Sequence, residues 1–290
     1  MSEFLQLTLF GLSNGAILAL AALGFVLIYK ATGVINFAQG HFLLIGAYVF
    51  YAAMLVFGFH WTLAILIGVV AATVLGVLVE RFILRPMIGE DAIAVIMVTI
   101  GLSSVLGGGV QFFFGTSPKQ TPRFLPPGSL ELAGVTIPWS RLAAIAIAAV
   151  VLTAFSLFFT RSRHGVAMRA VADDQQAAFT MGISVRRVFA MAWALAAVTA
   201  VIGGILLASL VGVSAGLASF GLVVFPVVIL GGLDSVPGTI VGGIIIGVIT
   251  QYTAGYVGGG LEQIVPFVVL IAILMIRPYG LFGQTRIERV

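Results

Sequence analysis

A few amide and imidazole side chains stand inside otherwise apolar stretches of this sequence: Asn14, Asn36, Gln39, His41 and Gln111. Amides donate and accept hydrogen bonds without carrying a charge, so they can bind a polar solute or a neighbouring helix. The groups that hydrolytic or redox chemistry needs are missing: there is no cysteine, no G-x-x-x-x-G-K-[ST], no H-E-x-x-H and no carboxylate cluster. We therefore expect binding, with no metal, cofactor or catalysis in this chain.

The glycine-flanked segment 33–41 holds three of these side chains, Asn36, Gln39 and His41. Glycines on both sides can open a helix, and hydrocarbon tolerates the freed backbone groups only beside a cavity or inside protein. One interpretation is a gate or a wall of a translocation path. The other is a close helix crossing, in which Asn36 hydrogen-bonds a neighbouring helix. The residue types leave both interpretations open.

Asn14, Gln111 and Pro226 are the other candidates for the path. Asn14 lies between Gly11 and Gly15, a small-x-x-x-small spacing that equally supports helix packing. Gln111 follows the glycines at 107–109, where we expect a weak point in its helix. Pro226 removes a backbone hydrogen bond inside a glycine- and serine-rich run, so we expect that helix to be broken.

The composition places these residues in a membrane. Hydrophobic residues make up 61% of the chain and charged residues 8%, with a mean hydropathy of +1.20, whereas charged residues are about 25% of soluble domains. A helix needs about 20 apolar residues to cross the hydrocarbon layer. We predict one all-α integral membrane domain over residues 1–290, with eight to nine spans at 4–28, 34–57, 61–79, 92–114, 142–159, 188–212, 216–230, 239–254 and 261–276.

The distribution of cations predicts the orientation, because Lys and Arg in short loops are held on the cytoplasmic side. Nine spans with the C-terminus inside put eleven of the fourteen cations in the cytoplasm and leave Lys119, Arg123 and Arg141 outside. We therefore predict the N-terminus outside and the C-terminus inside. The net charge of +4 then reflects membrane topology and needs no nucleic acid to explain it.

No acidic residue is expected near the middle of a predicted span. Glu80, Asp234 and Glu262 fall at span ends, where a solvated or snorkelling side chain is favoured. A proton-coupled carrier usually needs an ionisable residue deeper in the membrane, so this class is disfavoured. A passive channel stays open as an alternative.

Spans two and seven carry the two interruptions and run in opposite directions in the nine-span topology. Many transporters place broken helices at corresponding positions of two inverted halves, with the solute path between them. An inverted repeat is therefore a hypothesis for this chain.

Residues 161–187, the polar segment, carry five arginines between two apolar stretches. We predict one short helix at 165–180, ended by Gly182 and followed by Ser184 as the N-cap of the next span. One interpretation is an amphipathic helix on anionic lipid. The pair Asp173 and Asp174 would be repelled there, which favours docking to a soluble protein.

The external loop, residues 115–141, contains five prolines that prevent a long helix. We predict a short hairpin around Ala133 and Gly134. The loop is either a landing surface for a soluble protein, through residues such as Lys119, Arg123 and Glu131, or an ordered connector.

Four sequence blocks resemble branched-chain amino-acid ABC importer permeases, specifically the H-type membrane subunit: 33–40, 161–183, 229–238 and 277–283. The resemblance implies a bacterial inner-membrane permease that works with a second related permease as a heterodimer, two cytoplasmic ATPases that hold ATP and Mg²⁺, and an extracytoplasmic solute-binding protein. It also implies that the polar segment is the cytoplasmic coupling loop, with an ATPase-coupling role for Arg161, Arg163, Gly165, Arg169, Asp173, Asp174 and Gly182.

The chain departs from the family pattern at two places. Members commonly show His-Gly-Glu where Gln39, Gly40 and His41 stand, and often a Lys and a Thr where Val223 and Pro226 stand. These departures change which solute groups the path can meet. Branched-chain amino acids are the expected substrates, with urea, short amides or aromatic acids as the alternative.

Overall fold

The computed structural model describes residues 2–121, 124–132 and 135–283. Within them the helices are α1 (Ser2–Thr32), α2 (Gln39–Tyr51), α3 (Trp61–Val79), α4 (Ala92–Phe114), α5 (Trp139–Arg161), α6 (Arg163–Asp173), α7 (Gln175–Thr180), α8 (Val185–Val211), α9 (Phe220–Gly231), α10 (Val236–Tyr252) and α11 (Val265–Ile276). Strands β1 (Ser129–Leu132) and β2 (Val135–Pro138) pair antiparallel in the external loop. The two strands of the predicted hairpin are confirmed, and its turn at Ala133 and Gly134 lies outside the described residues.

Seven helical segments of the described chain are long and apolar enough to cross a membrane. Two shorter apolar segments, Ala215–Gly231 and Leu261–Ile276, correspond to the seventh and ninth predicted spans. The all-α membrane fold is therefore confirmed. At 1.5 Å per residue, α9 is only about 18 Å long against about 30 Å of hydrocarbon, so it crosses only part of the layer.

The breaks lie at slightly different places from those predicted. Gly33 takes a φ of +72° and ends α1, so α2 begins at Gln39 rather than at residue 34. The second break covers residues 212–219, which include one 3₁₀ turn, and Pro226 lies inside the helix that follows. The expectation that Pro226 breaks this helix is wrong. Its ring removes a single backbone hydrogen bond, and packing of α9 against α1, α10 and α11 holds the helix.

α1 lies at the centre of the helix packing, in contact with α5, α8, α9 and α10. Leu20, Leu23 and Val26 of α1 are fully buried. Its crossing with α10 is closest where glycines meet, because a Cβ at Gly247 would lie 2.4 Å from the Cα of Gly15. The packing interpretation of the small-residue spacing in α1 is therefore confirmed.

The two halves of the core pack in matching ways. We match α1, α2 and α3 with α8, α9 and α10 in that order. The contact between α1 and α10 then corresponds to that between α8 and α3, the contact between α2 and α8 to that between α9 and α1, and the contact between α2 and α3 to that between α9 and α10. The contacts α1–α8 and α2–α9 each correspond to themselves. At the second of these, a Cβ on Gly221 would lie 2.3 Å from the Cα of Gly40. This correspondence supports a two-fold repeat, and the inverted direction of its halves stays a prediction.

A methyl group at the α1–α10 crossing should loosen the core. We expect Gly247→Ala to lower the free energy of unfolding of the detergent-solubilised chain by about 1–3 kcal/mol, the usual cost of overpacking, and so to lower its melting temperature. The matched control is Gly108→Ala in α4, because nothing lies within 4 Å of a Cβ at that position. The measurement is the melting temperature by size-exclusion chromatography after heating. Equal losses in the two variants would contradict the close crossing.

Candidate functional site

Two amide side chains organise the break between α1 and α2. Asn36 Oδ1 accepts a hydrogen bond from Ala38 N at 2.9 Å, and its Nδ2 donates to Gln39 Oε1 at 3.3 Å. Gln39 Nε2 donates to the carbonyls of Ala21 in α1 at 3.0 Å and of Ala196 in α8 at 3.3 Å. Asn36 and Gln39 are each 1% exposed. They therefore tie the break to a long helix from each half of the fold.

Thr99 of α4 contacts the same break. Its hydroxyl accepts a hydrogen bond from Phe37 N at 3.3 Å and donates within α4 to Ile96 O at 2.9 Å. Thr99 is fully buried. The network of Asn36, Gln39 and Thr99, called the break network below, gives partners to backbone groups that leave the helix, as hydrocarbon requires. Contact of Asn36 or Gln39 with a solute stays a prediction.

The other predicted path residues lie apart from the break network. His41 packs beside α4, because a Cβ at Gly107 would lie 2.9 Å from its Nε2. Its Nδ1 is buried and has no hydrogen-bond partner among the described residues. Gln111 is exposed on α4, and Pro226 is buried in α9. Within the described chain the predicted path residues therefore form no single cluster.

Asn14 belongs to a second polar cluster that joins three helices. Its Nδ2 donates to Gln251 Oε1 of α10 at 3.1 Å, and its Oδ1 accepts from Arg141 Nη1 of α5 at 3.2 Å. The Arg141 guanidinium also lies 4.0 Å from the centre of the Phe10 ring, a cation–π contact. Asn14, Arg141, Gln251 and Phe10, the outer cluster, are half-buried.

The sequence interpretation missed Arg141 because it ended the external loop there. In the structure α5 begins at Trp139, directly after Pro138. Proline is well accepted at a helix start, where its missing N–H costs nothing, and tryptophan is enriched at the membrane boundary, so these two residues together predict an earlier helix start. Arg141 is thus the third residue of a membrane-spanning helix.

The polar segment forms two helices rather than the predicted single one. Asp174 leaves the helical conformation and caps α7, accepting hydrogen bonds from Gln176 N at 2.8 Å and Ala177 N at 2.9 Å. The prediction of one continuous helix is wrong because an Asp is a better N-cap than an interior helical residue. Gly182 takes a φ of +82° after α7, which favours glycine and ends the helix as predicted. Ser184 occupies the N-cap position of α8 without a capping hydrogen bond from its side chain.

Two of the predicted coupling residues hold the polar segment to α5. Arg169 donates to the carbonyls of Phe159 and Thr160 at the end of α5. Gly165 is buried against the same end, where a Cβ would lie 2.3 Å from Phe159 O. The N-cap of α6 is Ser162, whose Oγ accepts from Gly165 N at 2.9 Å. These contacts fix α6 against the end of the membrane helix before it.

The rest of the polar segment faces outward. Arg161, Arg163, Asp173 and Asp174 are exposed. Phe179 and Met181, which the sequence interpretation did not select, are 71% and 82% exposed. Large apolar side chains at that exposure, flanked by charges of both signs, are typical of a protein-binding surface.

Glu80 is buried rather than solvated, which contradicts the sequence-based expectation. It is 1% exposed and makes two hydrogen bonds with Arg85, from Nε at 3.0 Å and from Nη2 at 2.7 Å. A single π turn between these residues brings their side chains together. A buried carboxylate needs this kind of bidentate partner.

A cavity of about 280 Å³ connects this ion pair with the polar segment. Its wall includes Gly33 and Ile35 from the first break, Glu80 and Arg85 from the turns that follow α3, and Gln175 at the start of α7. The polar segment and the first break therefore share one cavity.

Two of the sequence blocks also meet in space. Leu281 N donates to Leu230 O at 2.8 Å, and Phe282 N donates to Gly231 O at 3.0 Å. The chain after α11 thus provides donors for the last carbonyls of the short helix α9.

In the external loop, Lys119 is tied down by its backbone. Lys119 N donates to Val213 O at 2.7 Å, and Val213 N donates to Lys119 O at 2.8 Å. These two hydrogen bonds hold the external loop against the second break. Glu131 is exposed, and Arg123 lies outside the described residues.

An all-α membrane protein with paired breaks and an exposed polar segment has the architecture of a transport permease. The family model of the branched-chain amino acid transport system, permease component, matches residues 7–274. The high-affinity branched-chain amino acid transport system permease protein BraD of Pseudomonas aeruginosa is 30% identical over 99% of this chain and 98% of its own. The LivH permease proteins of Salmonella typhimurium and Escherichia coli are 31% and 30% identical over the same shares.

This chain belongs to the branched-chain amino acid transport permease family. It is a multi-pass permease subunit of an ABC importer in the inner membrane, and it is not itself catalytic. Membership of this class implies ATPase and binding-protein partners.

Loss of the Gln39 hydrogen bonds should destabilise the fold. In Gln39→Leu, the Asn36 amide and two helix carbonyls lose a partner in a buried site, at a cost of about 1–3 kcal/mol. Gln111→Leu is the matched control because Gln111 is exposed. We expect a lower melting temperature for Gln39→Leu only, by the same chromatographic assay. If the Gln39 variant were as stable as the control, the break network would not hold the fold.

Proposed function

We propose that this permease moves the branched-chain amino acids leucine, isoleucine and valine into the cytoplasm, driven by ATP that separate subunits hydrolyse. The observation that carries the proposal is the match to permeases named for branched-chain amino acid transport over 99% of the chain. The departures at Val223 and Pro226 keep urea, short amides or aromatic acids as the alternative substrates.

The working complex contains four further subunits. A second, related permease forms a heterodimer with this chain, two cytoplasmic ATPases bind ATP with Mg²⁺, and a solute-binding protein delivers the substrate from outside. The N-terminus lies outside and the C-terminus inside, which puts the polar segment in the cytoplasm in agreement with the cation distribution.

The polar segment docks on an ATPase through its exposed apolar residues. Phe179 and Met181 enter a groove of the ATPase, and the charged residues around them meet its rim. Movement of the docked ATPase reaches the membrane by two routes. Arg169 and Gly165 connect the segment to the end of α5, and the packing of α6 and α7 connects it to α8, which also accepts a hydrogen bond from Gln39.

Truncation of the docking residues should uncouple ATP hydrolysis from uptake. Each buried apolar side chain contributes about 1.5–3 kcal/mol, so we expect Phe179→Ala with Met181→Ala to lower ATP-dependent leucine uptake by about tenfold or more. Membrane insertion and melting temperature should stay normal, because both side chains are exposed in this chain. The control is Phe113→Ala, which removes a 79% exposed ring from α4. Normal uptake in the double variant would argue against docking at this surface.

Purification from the native membrane tests the assembly itself. We expect mild-detergent affinity purification of this chain, followed by mass spectrometry, to recover a second permease and two nucleotide-binding subunits. Reconstitution of that complex with its binding protein should give leucine uptake that requires ATP. Recovery of the chain alone, with solute flux that needs no ATP, would instead favour a passive channel.

A further inference from the structure

The outer cluster holds a guanidinium near the N-terminal end of α5, where Arg141 is the third residue of the helix. Its partner Asn14 lies inside the apolar helix α1. Arg141 reaches Asn14 from α5, on the side of the membrane that carries the β1–β2 hairpin.

Arg141 has no anionic partner in the described part of the chain. The partners seen at Arg141 among the described residues are Asn14 and the ring of Phe10, and neither is charged. A guanidinium has five N–H donors. One of them is used by Asn14 Oδ1, and one face of the group lies on Phe10. The remaining N–H donors of the group are therefore available to an anionic ligand.

The neighbours of Arg141 hold it in one orientation. A guanidinium only donates hydrogen bonds, so Asn14 must present its Oδ1 to Arg141 and its Nδ2 to Gln251 Oε1. The positions of Asn14 and Gln251 are fixed by the α1–α10 crossing, where glycines bring the two backbones together. Arg141 and Asn14 are half-buried, so the cluster is partly exposed.

We propose that Arg141 binds the carboxylate of the transported solute in the outer half of the permease. A fixed guanidinium edge matches a carboxylate through two parallel hydrogen bonds. The site selects monocarboxylates such as zwitterionic amino acids over urea and short amides, which lack the anion. This inference rests on the proposed function and adds the group of the substrate that the permease recognises.

Protection from an arginine reagent tests the site without the selectivity of the binding protein. The purified permease–ATPase complex is treated with phenylglyoxal, and the Arg141 adduct is quantified by peptide mass spectrometry. We expect leucine to slow modification of Arg141 severalfold, whereas leucinamide, which has the same side chain without the carboxylate, leaves it unchanged. Modification of Arg81, an exposed arginine beside Phe82, should respond to neither compound. Equal protection by both compounds, or no modification of Arg141, would overturn the proposal.

Uptake by variants in the full complex provides the second readout. A charged hydrogen bond contributes about 1.5–3 kcal/mol, so we expect Arg141→Gln to lower leucine uptake by about ten- to a hundredfold. Arg141→Lys, which keeps the positive charge, should restore part of it, and the melting temperature of each variant is measured beside that of the wild type. Arg81→Gln is the matched control.

The outcomes separate the two proposals. If the wild-type complex takes up no leucine with ATP, the proposed function fails. If the wild type transports leucine and Arg141→Gln transports it equally well, only the carboxylate site is overturned. If Arg141→Gln lowers both uptake and melting temperature, and leucine gives no selective protection, Arg141 has a structural role and the carboxylate site is also overturned.

Discussion

The need to bond every backbone N–H and C=O inside hydrocarbon governs this fold more than any single contact. A regular helix meets that need by itself, whereas each break must draw donors and acceptors from elsewhere. The first break takes them from Asn36, Gln39 and Thr99, and the second is paired with the external loop at Lys119. The carbonyls at the end of α9 are bonded by the chain that follows α11. Polar side chains are scarce here, and many of them are used to make an irregular backbone stable.

The sequence predicted the features that follow from composition and periodicity. Apolar length located the membrane segments, and the glycines around Asn36 located the first break. Side-chain partners distant along the chain could not be predicted in the same way. Gln39 bonds Ala196, and Asn14 bonds Gln251, across separations that no local pattern records. The ion pair of Glu80 and Arg85 could have been predicted from their closeness in sequence, but the π turn that joins them has no clear sequence signal. Asp174 was misread as helical although its side chain is a strong N-cap.

The polar segment is joined to the membrane core by packing, because α6 contacts α1, α5 and α8, and α7 contacts α8. α6 is bonded to the end of α5, and α7 begins at the wall of the cavity that the break also lines. The opposite wall contains the Glu80–Arg85 pair, whose bidentate geometry resists deformation more than an apolar wall would.

Gln39 contributes to the barrier against separation of the two halves. It lies in α2, in the same half as α1, so of its two hydrogen bonds the one to Ala196 of α8 crosses between the halves and must break when they separate at this level. Each net hydrogen bond contributes about 0.5–1.5 kcal/mol, which is enough to favour one state and small enough for a docked partner to reverse. The outer cluster differs because α1 and α10 touch through glycine backbones there and have little freedom to separate. Motion should therefore concentrate at the break network, while the outer cluster keeps its geometry through the transport cycle.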